Sequence, residues 1–283
     1  MTESMTAPRL QAPPGACDTH MHFYHDRYPV APTALITPPE AWLDAYRALQ
    51  RRLGLQRVVL VQPTTYGHDN RCLLDALAAF GEAARAVVVV DQTVSDAELA
   101  RLTALGVRGV RFHMLPGGAL PWSELEPVAA RVAPFGWHLQ LQLNGHEFPD
   151  RAARLRRLPC PLVVDHVGRF MPPVAVDHAA FRSLLDLVDG GRCWVKLSAP
   201  YESSRQPDYG DVAPLARALV AAAPERLLWA SNWPHPGQAA PADDARLLDL
   251  LFDWVDDAAS RDRILAANPA QLYGFQESAL LKK

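Results

Sequence analysis

The sequence predicts an α/β chain closed into a (β/α)8 TIM barrel, and three observations carry that expectation. Apolar runs of strand length alternate with amphipathic stretches of helix length through nearly the whole chain, which argues for a parallel sheet. Eight such units can be counted, which favours a closed barrel over an open doubly wound sheet. Several runs end abruptly in polar groups, as in Arg226-Leu-Leu-Trp-Ala-Ser-Asn-Trp-Pro-His-Pro236. Strands covered on both faces are apolar throughout, and in barrels the reactive groups sit where those strands end. No Gly-x-Gly-x-x-Gly follows the first strand, which argues against a dinucleotide fold. The 283 residues suit one barrel domain over 15–283, preceded by a disordered leader over 1–14.

Taken in order, the first strand is the short stretch Gly15-Ala-Cys-Asp-Thr-His-Met-His22. Its two histidines are separated by one residue, so the two-residue period of a strand turns both to one face. Thr37-Pro-Pro-Glu40 reads as a capping box opening a helix with the apolar stripe Trp42, Leu43, Tyr46 and Leu49. Strands follow at 58–62 and 87–91, with helices at 70–80 and after the cap Ser95-Asp-Ala-Glu98. The next strand, 107–113, carries Arg111 and His113 at its end and precedes a helix over 123–135. The strictly alternating segment Trp137 to Asn144 places Gln140, Gln142 and Asn144 on one face, as in a barrel interior lined by amides near its mouth. A helix over 148–158 leads to the run Pro161-Leu-Val-Val-Asp165-His166-Val-Gly168-Arg169. A helix over 177–188, a strand over 193–198 with the loop Tyr201-Glu-Ser-Ser-Arg205, and a helix over 211–223 bring the chain to the eighth strand. Helices over 243–256 and 261–267 then precede the stretch Asn268-Pro-Ala-Gln-Leu-Tyr273-Gly.

Composition excludes several classes of function. A net charge of -3 without a block of like charges gives no footprint for nucleic acid or an anionic membrane. Arg151, Arg154, Arg156 and Arg157 fit a solvated helix face. No apolar run reaches the roughly 18 residues of a membrane span, and the first residues lack the apolar centre of a signal peptide. Cys17, Cys72, Cys160 and Cys193 are scattered, which fits reduced thiols and a cytoplasmic location. Cys17 reads as a small buried strand residue rather than a nucleophile.

The strand ends bring His20, His22, Arg111, His113, His166, Arg169, Asn232 and His235 to one mouth. Each alone has a structural reading: a histidine bonded to a carbonyl, an arginine paired with a carboxylate, an asparagine satisfying a loop. Their convergence favours a site.

The segments Asp18-Thr-His-Met-His22, Asp165-His166-Val-Gly168-Arg169 and Trp229-Ala-Ser-Asn-Trp-Pro-His235 resemble the signature of the amidohydrolase superfamily, in its lactonase-like branch. The resemblance covers nearly the whole chain. It implies a metal-dependent-hydrolase-like barrel and a lactone as the small-molecule substrate. It also implies a metal site built from the two strand-one histidines, a lysine or histidine of strand four or five, the strand-six histidine and a strand-eight aspartate. Here strand five offers Gln142 and Asn144, strand four offers no lysine, and strand eight offers Asn232. An amide is a poor zinc ligand and takes no proton near neutral pH.

The expectation is therefore a lactone-processing enzyme without a metal cofactor, with zinc on His20, His22 and His166 as the alternative. Lacking a water-activating carboxylate, it would isomerise a sugar-acid lactone through attack by the substrate's own hydroxyl. His20, His22, His166 and Asn232 are the catalytic candidates, with His166 or His22 as proton carrier. Arg111, His113, Gln142, Arg169, Tyr201 and His235 are the substrate-binding candidates, the arginines gripping a carboxylate. A lactone hydrolase and a non-catalytic sugar-acid binding protein are the competing readings. The oligomeric state is left open by the sequence.

Overall fold

Short runs rich in Val and Leu pair side by side into one eight-stranded parallel sheet, ordered β1 to β8 as in the chain. The computed structural model describes residues 7–37 and 39–276. Its strands are β1 (Cys17–Met21), β2 (Arg57–Val61), β3 (Ala84–Val88), β4 (Val107–His113), β5 (His138–Gln142), β6 (Leu162–Val164), β7 (Cys193–Leu197) and β8 (Leu227–Trp229). The last strand returns to the first. Asn232 N–H donates to the His20 carbonyl and His22 N–H to the Trp233 carbonyl, both at 2.8 Å. Thr19 Oγ1 donates to the Trp229 carbonyl, also at 2.8 Å.

Eight helices alternate with these strands: α1 (Leu43–Leu53), α2 (Arg71–Phe80), α3 (Asp96–Ala104), α4 (Leu125–Val132), α5 (Phe148–Arg156), α6 (Ala179–Asp189), α7 (Ala213–Ala222) and α8 (Asp244–Trp254). Alternate strand residues divide between two cores. Val58 and Leu60 join the outer core beneath the helices, whereas Val59 and Val61 join Val87, Val163 and Leu228 inside the barrel. Tyr273 and Phe275 complete that inner cluster and form the barrel floor. Gly109 is required there because a Cβ would meet the His138 ring at 2.6 Å. Between β1 and β2 the register shifts between Asp18 and Met21. The shift lets Cys17 join the inner cluster while His20 and His22, of opposite parity, turn inward above it.

Ser95 caps α3 as expected, its side chain accepting from Glu98 N–H. The expected capping box at Thr37-Pro-Pro-Glu40 does not open a helix: α1 begins at Leu43 with no side-chain cap. Ala41 instead exchanges two backbone hydrogen bonds with Tyr24, at 2.9 and 3.2 Å, which holds the preceding residues out of the helix. Pro38 lies outside the described residues. The third strand starts three residues before the expected Val87, because Ala84 pairs with Val58. Val89 N–H leaves the ladder to bond Asn70 Oδ1 at 3.0 Å. The helix expected over 261–267 falls within a longer wound segment, in which α9 (Ala258–Asp262), a π-helical turn (Arg263–Ala267) and α10 (Asn268–Tyr273) run consecutively. Asn268 holds this segment in place by donating to the Pro224 and Leu227 carbonyls.

The expected disordered leader is ordered where it is described. Arg9 and Leu10 N–H donate to the Asp249 carboxylate at 3.0 and 2.8 Å, and Leu10 is buried. An apolar side chain and a carboxylate on α8 thus anchor it; residues 1–6 lie outside the described residues. All four cysteines are buried and free. Among the described residues, no helix is long and apolar enough to cross a membrane.

Candidate active site

Because all strands run in one direction, their C-terminal ends deliver side chains to one mouth, where a cavity of about 490 Å³ opens. Six residues at the ends of β6, β7 and β8 take left-handed backbone angles without being glycine: His166, Val167, Arg169, Ala199, Asn232 and His235. For a β-branched residue such as Val167 (φ 54°) this conformation is costly, and such strain collects at functional sites. A larger groove of about 660 Å³ lies outside the barrel between α7 and α8, lined by groups such as Tyr209, Arg217 and Asp249. It contains none of the rim groups, so the chemistry belongs to the smaller cavity.

Eight expected residues line that cavity: His22, Arg111, His113, Gln142, His166, Arg169, Tyr201 and Asn232. Glu202 joins them, and Arg169, Gln142 and His166 gather on its carboxylate. Arg169 Nε donates to Glu202 Oε2 at 2.9 Å and Gln142 Nε2 donates to the same oxygen at 3.1 Å. His166 Nε2 lies 3.6 Å from Oε1. Arg111 donates to the Gln62 carbonyl at 2.8 Å and to Gln142 Oε1 at 3.1 Å, while its Nε has no partner among the described residues. His113 Nδ1 shares Gln142 Oε1 at 3.1 Å, and burial beside Arg111 drives its pKa down to about 3.

His166 and His22 differ in what their ring nitrogens can do. His22 Nδ1 donates to the Val61 carbonyl at 2.8 Å, and its Nε2 faces His20 Nε2 at 3.2 Å. Both nitrogens are engaged. His166 Nδ1 meets Ser198 Oγ at 2.9 Å, which leaves Nε2 on the side of Glu202. Burial holds both histidines below the ordinary pKa, so each is neutral near pH 7. Asn232 Nδ2 donates to Tyr201 Oη at 2.9 Å.

Two expected site residues stand behind the cavity wall. His235 Nδ1 bonds Tyr201 Oη at 2.9 Å and its Nε2 lies 3.2 Å from Asp244 Oδ1, so it positions the tyrosine instead of reaching the cavity. His20 is fully buried one layer below the mouth. There its Nδ1 lies 3.2 Å from each of Asp165 Oδ1, Gln140 Nε2 and Lys196 Nζ. Lys196 also donates to Gln140 Oε1 at 2.7 Å and to the Thr19 carbonyl at 2.9 Å, and lies 3.5 Å from Asp165 Oδ1. Burial brings its pKa down to about 8. Burial pushes the Asp165 carboxyl up, but its contacts with His20 and the Lys196 ammonium outweigh this and hold it well below the carboxylate range, while burial holds His20 itself below the ordinary histidine pKa. Asp18 ties β1 to the β8 rim by accepting from Ser231 N–H, Ser231 Oγ and Tyr46 Oη, while burial raises its pKa to about 6. Asn144 faces neither layer; it caps the turn after β5 by accepting from His146 N–H.

Glu202, Asp165 and Lys196 were not among the expected site residues. A signal for Lys196 existed: a lysine inside Cys193-Trp-Val-Lys-Leu197 has no water to reach and must be paired. His20, Asp165 and His166 present ligand atoms that all lie within 4.8 Å of one another, the one such group found among the described residues.

Against known proteins, the amidohydrolase family profile matches residues 17–275. The chain belongs to the amidohydrolase family. This amidohydrolase is similar to D-galactarolactone isomerase from Agrobacterium fabrum, with 40% identity over 276 residues that cover 95% of this chain and 94% of that protein. It is similar to 2-pyrone-4,6-dicarboxylate hydrolase from Comamonas testosteroni at 35% identity, covering 95% of this chain and 93% of that protein. An apo crystal structure from Agrobacterium tumefaciens superposes on this amidohydrolase with a TM-score of 0.91 at 39% identity, covering 95% of this chain and 99% of that one.

Proposed function

We propose that this amidohydrolase isomerises a sugar-acid lactone by internal acyl transfer, with no metal ion taking part. The observation that carries the reading is Asn232: the strand-eight rim presents an amide, already donating to Tyr201, where water activation calls for a carboxylate. The likeness to D-galactarolactone isomerase supports the substrate class.

The arginines line the cavity beside His166, so a lactone whose carboxylate is gripped by Arg111 and Arg169 places its reacting end at that histidine. A free hydroxyl of the substrate attacks the ring carbonyl carbon and passes its proton to His166 Nε2. The ring C–O bond then breaks, and the leaving oxygen takes the same proton back. One ester bond forms and one breaks, and no water enters. Glu202 stabilises the imidazolium between these steps. Holding the hydroxyl against the carbonyl can contribute about 7 kcal/mol or more to lowering the barrier.

The donor set does not favour a divalent cation. His20, Asp165 and His166 are close enough to bind one, but the Lys196 ammonium stands within 3.5 Å of two of them. Asn232 and the Gln140 and Gln142 amides supply no anionic ligand beside them. One observation favours hydrolysis as a second reading, since Glu202 is a carboxylate within the cavity. NMR of D-galactarolactone turnover separates these readings. A ring isomer supports the proposal, the open diacid supports the hydrolase, and an unchanged lactone under saturating enzyme contradicts both.

A further inference from the structure

We propose that the Lys196 ammonium keeps a divalent cation out of a three-donor site at the centre of the barrel, and that neutralising it opens a zinc site on His20, Asp165 and His166. The inference rests on the metal-free reading above and deepens it.

The three donors are all buried and their ligand atoms already converge within 4.8 Å. Ligands about 2.0 Å from a tetrahedral zinc ion stand roughly 3.3 Å from one another. His20 Nδ1 and Asp165 Oδ1 are at 3.2 Å, so part of the set has that spacing before any movement. Two histidines and a carboxylate form a donor set of the kind found in zinc sites with one open position.

Lys196 opposes binding in two ways. Its ammonium lies 3.2 Å from His20 Nδ1. The neighbours of His20 make that nitrogen the acceptor: His22 Nδ1–H is committed to the Val61 carbonyl, His22 Nε2 therefore accepts from His20 Nε2–H, and the His20 lone pair lies on Nδ1. The ammonium thus shares with Gln140 Nε2 a lone pair that a metal would need, and it alone brings a positive charge there. It also supplies the counter-charge to Asp165 at 3.5 Å, in a fully buried position where two cations on one carboxylate repel strongly. The lysine is fixed on β7 by its bonds to the Thr19 carbonyl and Gln140 Oε1, so it cannot withdraw as a free ion does. Arg111 adds positive charge from the cavity side and Glu202 opposes it.

The test is metal content. Wild type, Lys196→Met and Lys196→Arg, each checked for folding by circular dichroism, are dialysed against zinc, washed, and measured by inductively coupled plasma mass spectrometry. The expected result is one zinc per chain in Lys196→Met, and none in wild type or in Lys196→Arg, which keeps the charge. Adding His166→Ala to Lys196→Met should abolish the zinc. If Lys196→Met does not fold, Lys196→Gln, whose amide can still donate to the Thr19 carbonyl, carries the same expectation. Zinc in wild type at the same stoichiometry overturns the inference together with the metal-free reading. Zinc in neither wild type nor a folded neutral variant overturns the inference alone. Equal zinc in the methionine and arginine variants shows that charge is not the barrier and also overturns it.

Discussion

At the floor of the barrel Val59, Val87, Val163 and Leu228 meet beside Tyr273 and Phe275, whereas at the mouth the same sheet presents Arg111, Gln142, His166 and Asn232 around Glu202. The two ends share strands, direction and burial, yet the left-handed non-glycine residues of the barrel rim occur at the mouth, on the segments after β6, β7 and β8. Packing determines the floor, and it tolerates only what fits: Gly109 is there because the His138 ring leaves no room for a Cβ. Charge determines the mouth. Its backbone accepts strain so that His166, Arg169 and Asn232 point where they do. Between them the Lys196 and Asp165 layer separates dry core from reactive cavity.

That contrast can be broken most strongly at the mouth. His166→Asn should lower kcat by roughly 10²- to 10⁴-fold while KM and thermal stability change little, as expected for loss of a proton carrier. Steady-state kinetics with a sugar-acid lactone and a melting curve check it. A variant that melts early with proportionate loss of activity would make His166 a structural residue like those of the floor.

A smaller effect sharpens the role of charge. Arg169→Met should weaken binding of a carboxylate-bearing lactone by about 1.5 to 3 kcal/mol, and that of its neutral methyl ester much less. Because Arg169 also holds Glu202, titration calorimetry with both ligands is needed to separate the two contacts. Equal losses for acid and ester would mean that Arg169 serves the loop alone.

How far the sequence spoke differs between the two ends in the same way. The eight strands, β4 to the residue, and seven of the cavity-lining groups follow from periodicity and from polar residues at strand ends, whereas Tyr201, in the loop after β7, was legible only through the family resemblance. The start of α1 did not, because a tertiary bridge between Tyr24 and Ala41 outweighs a local capping signal. His20 was expected in the cavity because strand parity gives a face but not a depth, and His235 because it follows a strand end; His20 lies one layer below the cavity and His235 behind Tyr201. Glu202 was hidden by its place in a loop, where no period marks it, and Asp165 by its role beneath the histidine that follows it.

The smallest effect on turnover belongs to the floor. Burial drives the pKa of His138 down to about 3, from an ordinary value near 6.5. Between those values the unfolded chain binds a proton that the folded chain refuses, so this contribution to stability is complete above pH 6.5. It is lost as pH falls, by about 1.4 kcal/mol per pH unit within that window. His138→Gln should flatten the acid side of the stability curve by one proton and leave KM unchanged. Chemical denaturation at several pH values measures it, and an unaltered slope would show that His138 takes its proton in the folded state.

The most direct measurement concerns Asn232. Asn232→Asp keeps the shape of the side chain but makes it an acceptor, so Tyr201 must now donate where it accepted, and a carboxylate able to take a proton from water stands at the rim of β8. Turnover of a sugar-acid lactone by parent and variant in oxygen-18 water, with chelator present throughout, gives the ratio of labelled open diacid to unlabelled ring isomer. The account predicts unlabelled isomer from the parent and a marked rise in labelled diacid from the variant. A variant that incorporates no more label than the parent would contradict it.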